Sequence, residues 1–235
     1  MNEQLFTGKS SYYEMSRPVI AEEAFNYLYS LLPLNAVIAD VGAGTGKFTT
    51  LAAKRGNTVF AIEPNAEMQM VLINNVKNYP NVIVLNSCAE DTHIPSNSVD
   101  VVISVTAIHW FDLDAFRTEC YRILKPNGMV VAVYNSQKEE LRKLANNHSY
   151  KTATDIFFDG KCEVIEFSNP QQYTREKYLA YYLSHSNAPK LADDDYTLFF
   201  ERINASFDRE QKDGMYLFDF VTVMYIDRDF QQHRI

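Results

Sequence analysis

Cysteine, histidine and tryptophan are scarce in this chain, and each scarcity removes a class of chemistry. Cys88, Cys120 and Cys162 form no CxxC pair and show no metal-ligand spacing, so a reducing, cytoplasmic setting is the default and no metal site is expected. The five histidines, His93, His109, His148, His185 and His233, are scattered with no HxxxH pair. Apolar runs stay well short of the roughly 20 residues a membrane-spanning helix needs. Met1-Asn-Glu-Gln lacks the basic and apolar stretches of a signal peptide. Basic residues are the minority: 22 Lys and Arg against 30 Asp and Glu leave a net charge of −8. That balance weighs mildly against a nucleic-acid partner, whose phosphates favour basic surfaces, although a local basic groove stays compatible with it. There is no internal repeat and no low-complexity tract. What the chain does have is apolar bulk, 46% of 235 residues, enough for one substantial domain or one domain with a lid.

The most informative stretch is Ala36-Val-Ile-Ala-Asp-Val-Gly-Ala-Gly-Thr-Gly-Lys-Phe48. Val37, Ile38, Ala39 and Val41 read as a strand covered on both faces. A glycine turn follows, then a helix carrying Phe48, Leu51 and Ala52, with Gly56 as its stop. Two nucleotide motifs fail here. A P-loop needs glycine where Val41 stands and a hydroxyl where Phe48 stands. A dinucleotide fingerprint needs its third glycine where Lys47 stands. The pattern that fits is Asp40-x-Gly42-x-Gly44-x-Gly46.

That pattern resembles motif I of the class I S-adenosylmethionine-dependent methyltransferases. The resemblance implies that Gly42, Gly44 and Gly46 lie against the amino-acid and ribose part of S-adenosyl-L-methionine, with Asp40 at its methionine end. Glu63-Pro64, at the end of the strand Thr58–Ile62 and about 20 residues past the glycine loop, is placed for a carboxylate to accept both ribose hydroxyls. Asn65 is suited to cap the helix that follows. In Cys88-Ala89-Glu90, after the strand Val82–Leu85, Ala89 and Glu90 match the family's adenine-bracketing loop. Cys88 stands where an acid is usual, so adenine recognition there falls to backbone groups or a neighbour. Tyr13, Arg17 and Pro18 resemble a leading segment that closes over the cofactor, with Pro18 in the first turn of a helix through Leu32; an ordinary leading helix is the alternative.

The strand Val99–Val105 is followed by Thr106-Ala-Ile-His109-Trp110-Phe111, and open parallel sheets bind ligands at such strand ends. The phrase resembles a small-molecule branch of the family that includes trans-aconitate-methyltransferase-like enzymes, with Thr106 where Gln is common. His109 is the candidate base and Trp110 a candidate wall of the substrate pocket; a purely structural histidine is the other reading. Asp112 caps a helix, Lys125–Gly128 form a turn, and Met129–Tyr134 make strand five. Cys162–Phe167 read as strand six, Tyr173–Ser186 and Asp193–Phe207 as helices, and Met215–Ile226 as strand seven. Tyr178, Tyr181 and Tyr182 share a helical face, more in keeping with packing than with a pocket.

These readings imply an α/β, Rossmann-like class I methyltransferase fold. The resemblance implies a sheet of seven strands, parallel apart from strand seven, in order 3-2-1-4-5-7-6 with a helical lid. Residues 1–235 form one domain, comprising an arm and helix (1–33), a cofactor core (36–134) and a lid (about 170–210). The expected function is methyl transfer from S-adenosyl-L-methionine to a small-molecule acceptor at a carboxylate or hydroxyl oxygen, with no nucleic acid and no membrane involved. Three alternatives stay open: an NAD-linked oxidoreductase, a catalytically silent module of the same fold, and a protein or RNA methyltransferase.

Overall fold

The computed structural model describes residues 7–145 and 151–233, with the backbone alone for 142–145; Met1, Phe6 and His148 lie outside the described residues. The chain runs α1 (Ser10–Ser16), α2 (Glu22–Leu31), β1 (Ile38–Val41), α3 (Lys47–Lys54), β2 (Val59–Ile62), α4 (Ala66–Val76), β3 (Val82–Leu85) and β4 (Val99–Val105). It continues through a 3-10 turn (Ile108–Trp110), α5 (Leu113–Ile123), β5 (Leu124–Gln137), α6 (Lys138–Ala145), α7 (Ala153–Phe158), β6 (Glu163–Thr174), α8 (Arg175–Leu183), α9 (Tyr196–Glu210) and β7 (Met215–Asp227). The seven strands form one sheet in the order β3-β2-β1-β4-β5-β7-β6. The β1–β2, β1–β4, β2–β3 and β4–β5 pairs are parallel, and β7 runs antiparallel to both β5 and β6.

Strand β1 lies inside the sheet between β2 and β4 and is buried along its whole length. Side chains alternate across a strand, so Ile38 packs with Phe25, Leu28, Phe48 and Ala52 of α2 and α3, while Ala39 and Val41 pack with Phe116, Cys120 and Phe157 of α5 and α7. The same alternation places Asp40 on the α2–α3 side, near the carboxyl end of the strand. Two helix starts follow directly from capping. Asn65 Oδ1 accepts the Met68 N–H at 3.0 Å, and Asp112 Oδ1 accepts those of Asp114 and Ala115 at 3.2 and 3.1 Å.

A third cluster lies apart from the two sheet faces. Tyr173, Tyr178, Tyr181, Ile203, Phe207, Phe218 and Phe220 bind α8 and α9 to the outer ends of β6 and β7. Tyr178 and Tyr181 are buried in this cluster, with Tyr182 partly buried against it.

Three local expectations need correction. Residues 10–16 are helical and Pro18 lies outside any helix, because Arg17 ends α1 in an extended conformation and α2 starts only at Glu22. The extended segment of strand five begins at Leu124. Residues 125–128 bulge between the Val99–Leu124 and Val101–Met129 pairs, so the expected turn is an interruption inside the strand. Strand six continues to Thr174, paired with β7 throughout, and displaces the start of α8 to Arg175.

Candidate cofactor and acceptor site

At the carboxyl ends of β1, β2 and β4 the sheet opens into a cavity of about 520 Å³, roofed by α1 and by the turn after α8. Tyr13, Arg17, Gly42, Gly44, Glu63, Pro64, Cys88, Ala89, Glu90, Thr106, His109 and Trp110 all line it. Asp40 lines a smaller adjoining hollow of about 50 Å³ that shares Tyr13, Arg17, Gly42 and Thr106 with the main cavity. Gly46 lines neither.

The glycine loop divides its work. Gly42 has φ +74°, and a Cβ there would lie 2.6 Å from Ala107 Cβ, so backbone alone fits between β1 and the segment after β4. Gly46 has φ +84°, and a Cβ there would meet Leu72 at 2.4 Å. It is therefore a packing glycine that lets α3 start against α4.

Glu63 is 7% exposed at the end of β2. Its Oε2 accepts the Gly44 N–H and its Oε1 accepts the Asn65 N–H, both at 2.8 Å. The carboxylate thus braces the glycine loop from below, a role that spacing alone did not suggest. Glu90 accepts the Asp112 N–H at 2.8 Å and so joins the loop after β3 to the start of α5.

Asp40 and Arg17 both line the other end. Asp40 is 1% exposed; its Oδ2 accepts from Thr49 Oγ1 at 2.5 Å, and its buried Oδ1 has no hydrogen-bond partner among the described residues. Burial pushes its carboxyl up to about 7, against the relief given by the Thr49 hydrogen bond. Arg17 lies over the rings of Tyr13 and Tyr181, 5.2 and 5.6 Å from their centroids, and donates from Nη2 to the Ser184 carbonyl at 3.3 Å. Its buried Nε has no partner among the described residues.

Thr106 has φ +56°, a conformation that β-branched residues rarely adopt, and its N–H bonds the Val133 carbonyl at 2.8 Å. His109 follows in the 3-10 turn, with Nδ1 3.1 Å from the Tyr134 hydroxyl and its ring 4.8 Å from that of Trp110. Its ring lines the cavity and is partly desolvated there. That desolvation, and then the Arg17 charge, lower its pKa. The ring is neutral at pH 7, and its tautomer depends on which way the Tyr134 hydroxyl points. Among the described residues no group of three His, Cys, Asp or Glu side chains could hold a metal ion, and no helix is long and apolar enough to cross a membrane.

The sequence reading passed over several lining residues, among them Phe111, Met68, His185 and Ser186. The last two come from the turn after α8, far along the chain. Lys9, itself buried, fixes that turn: its Nζ donates to the carbonyls of His185, Ser186 and Ala188 at 2.7, 3.2 and 2.6 Å. Phe111 stands in the phrase after β4, whereas no short motif marks Met68.

A parallel sheet in this order, ending in an antiparallel β7 with a glycine loop after the central strand, is the class I S-adenosylmethionine-dependent methyltransferase fold. Residues 39–132 match the family model described as a methyltransferase domain. An uncharacterized methyltransferase of Mycobacterium tuberculosis is 38% identical over 130 residues, 55% of this chain and 51% of that protein. A Dictyostelium discoideum protein with a provisional methyltransferase name is 30% identical over 167 residues, 68% of this chain and 62% of that one. The chain thus spans about half to two thirds of the length of these relatives. Among solved structures, a chain of Anaeromyxobacter dehalogenans provisionally named a type II methyltransferase has a TM-score of 0.63 at 20% identity, covering 91% of this chain and 98% of that one. The geranyl diphosphate C-methyltransferase of Streptomyces coelicolor, solved with S-adenosyl-L-homocysteine, has a TM-score of 0.51 at 17% identity and covers 88% and 78%.

Proposed function

We propose that this chain is an S-adenosylmethionine-dependent methyltransferase that methylates a small molecule at a carboxylate or hydroxyl oxygen. The observation that carries the reading is the placing of Asp40 and Arg17 beside the glycine loop, each with a buried polar atom that has no partner among the described residues. Both residues line one end of the site, and the atoms concerned, Oδ1 of the first and Nε of the second, are an acceptor and a donor of the kinds the ammonium and carboxylate of an amino acid require. At the other end Glu63 is held by two backbone N–H groups in a position suited to a diol. The backbone at Gly42 and Gly44 leaves room between the two. An NAD-type pyrophosphate would need the third glycine that Lys47 replaces, and it would gain nothing from a zwitterion cradle.

When bound, the cofactor supplies an electrophilic methyl group on a sulfonium. The chain's part is to hold it in line with the acceptor and keep water out, and alignment of this kind is worth roughly 7–11 kcal/mol of barrier. The resemblance of Ala107–Phe111 to the trans-aconitate-methyltransferase-like branch, the two helices between β6 and β7 read as a lid over one domain, and three free thiols in keeping with a cytoplasmic setting all accord with this proposal. The test is calorimetric titration of the protein with S-adenosylmethionine, S-adenosylhomocysteine and NADH. Saturable one-to-one binding of the first two and none of the third is expected; the reverse order sinks the proposal.

A further inference from the structure

His185 is the lid residue with the most sharply defined chemistry. Its Nδ1 lies 2.8 Å from the Tyr181 carbonyl oxygen, which can only accept, so Nδ1 carries the proton. Nε2, across the ring, therefore presents a lone pair, and it has no hydrogen-bond partner among the described residues. The ring is set edge-on to Tyr181, at 4.7 Å between centroids, and it lines the same cavity as His109. The backbone beneath it is pinned by Lys9 Nζ at 2.7 Å. This is a rigid hydrogen-bond acceptor whose direction was fixed before any ligand arrives.

We propose that His185 is the specificity-determining residue for the methyl acceptor, its Nε2 accepting a hydrogen bond from a neutral hydroxyl group such as a phenol, so that the site prefers hydroxyl compounds to carboxylates. This rests on the methyltransferase reading above and narrows it. A carboxylate would set its own lone pairs against Nε2. A protonated amine would meet the positive charge of Arg17, which acts at both cavity histidines. A hydroxyl supplies the donor that Nε2 needs and still turns an oxygen lone pair toward the methyl group. As the oxygen–methyl bond forms, the methyl–sulfur bond breaks and its electron pair stays on sulfur. The hydroxyl proton passes to Nε2 and then to water. Burial holds His185 at about 4, too weak a base to ionise a free hydroxyl. It is strong enough to take the proton once the oxygen has begun to bond to carbon.

The experiment uses the full chain labelled with ¹⁵N-histidine. With only five histidines in the protein, loss of one signal in His185→Phe identifies the resonances of residue 185. Expected at pH 7 are a protonated Nδ1, a bare Nε2, and an upfield shift of Nε2 when phenol or 4-methylphenol is added to the protein saturated with S-adenosylhomocysteine. Benzoate of the same ring leaves it unmoved. In His185→Phe, phenol binding falls about five- to tenfold while S-adenosylhomocysteine affinity stays within about twofold, which also certifies the fold. If that variant does not fold, the labelled wild-type spectra decide, with assignment by His185→Gln. A protonated Nε2, a response to benzoate instead of phenols, or no response to any phenol overturns the proposal. If S-adenosylhomocysteine itself fails to bind, the cofactor reading has failed first, and the two failures are told apart.

Discussion

If Asp40 meets the ammonium group of the cofactor, binding must expel a proton. In the free protein burial holds this carboxyl at about 7, so near neutral pH a large share of molecules carry it protonated. A bound ammonium stabilises only the ionised form. Titration should therefore release about half a proton per ligand at pH 7, about nine tenths at pH 6 and about one tenth at pH 8. Affinity should rise about tenfold from pH 6 to pH 8, or roughly 1.4 kcal/mol, and level off above. S-Adenosylhomocysteine is the ligand of choice because its amino group stays protonated over this range. The assay is calorimetry at each pH in two buffers with different ionisation enthalpies. His185, at about 4, adds no charge change, and Asp40→Asn isolates any residual part from His109. The same shift has a consequence for folding. Asp40 is raised above its unfolded value of 3.8, so its contribution is full below pH 4 and is lost as pH rises toward 7, on the order of 4 kcal/mol in all. Asp40→Asn should accordingly raise the unfolding temperature more at pH 8 than at pH 5. A binding heat independent of buffer at pH 6, or a buffer dependence that Asp40→Asn leaves undiminished, refutes the assignment.

Other consequences follow from single contacts. Glu63→Ala should weaken S-adenosylhomocysteine binding by about 1–3 kcal/mol, and hydrogen exchange at Gly44 should speed up because its N–H loses its acceptor. Gly42→Ala combines a positive φ with a 2.6 Å approach to Ala107 and should cost about 2 kcal/mol or more in urea unfolding. Lys9→Met keeps the apolar stem and removes three hydrogen bonds to the turn after α8. It should destabilise the protein by about 1.5–3 kcal/mol, with faster exchange confined to residues 184–188. His109→Ala should lower kcat while leaving cofactor affinity nearly unchanged; unchanged turnover removes it from the mechanism.

The parts of the site that were legible in the sequence are those where local chemistry and position coincide. A buried strand running into alternating glycines can hardly be anything but a strand–turn–helix unit. The hydrophobic runs placed the strands along the chain, whereas the sheet order and the antiparallel last strand followed only from the resemblance to the class I methyltransferases. Asn65 and Asp112 announced themselves as caps because capping is settled within four residues. What stayed hidden depends on distant partners. Gly46 looks like its neighbours in sequence, yet Leu72 decides its role. The helical character of Ser10–Ser16 is stabilised by Lys47, which donates to the Glu14 carbonyl, and by the Tyr173 hydroxyl on the Ser16 carbonyl. His185 is held in the site by partners that include Lys9, 176 residues away, which fixes the turn that carries it. Tyr178 and Tyr181 share a helical face, and only β7 shows that the face is packed away in an aromatic cluster.

The central claim is that one sulfonium nucleoside spans the cavity from Glu63 to Asp40 and Arg17. A crystal structure with S-adenosylhomocysteine tests it most directly. The account predicts both ribose hydroxyls within hydrogen-bond distance of Glu63, the ammonium on Asp40 Oδ1 and the carboxylate beside Arg17. A ligand bound elsewhere, or one lying in this cavity without touching Glu63, would contradict it.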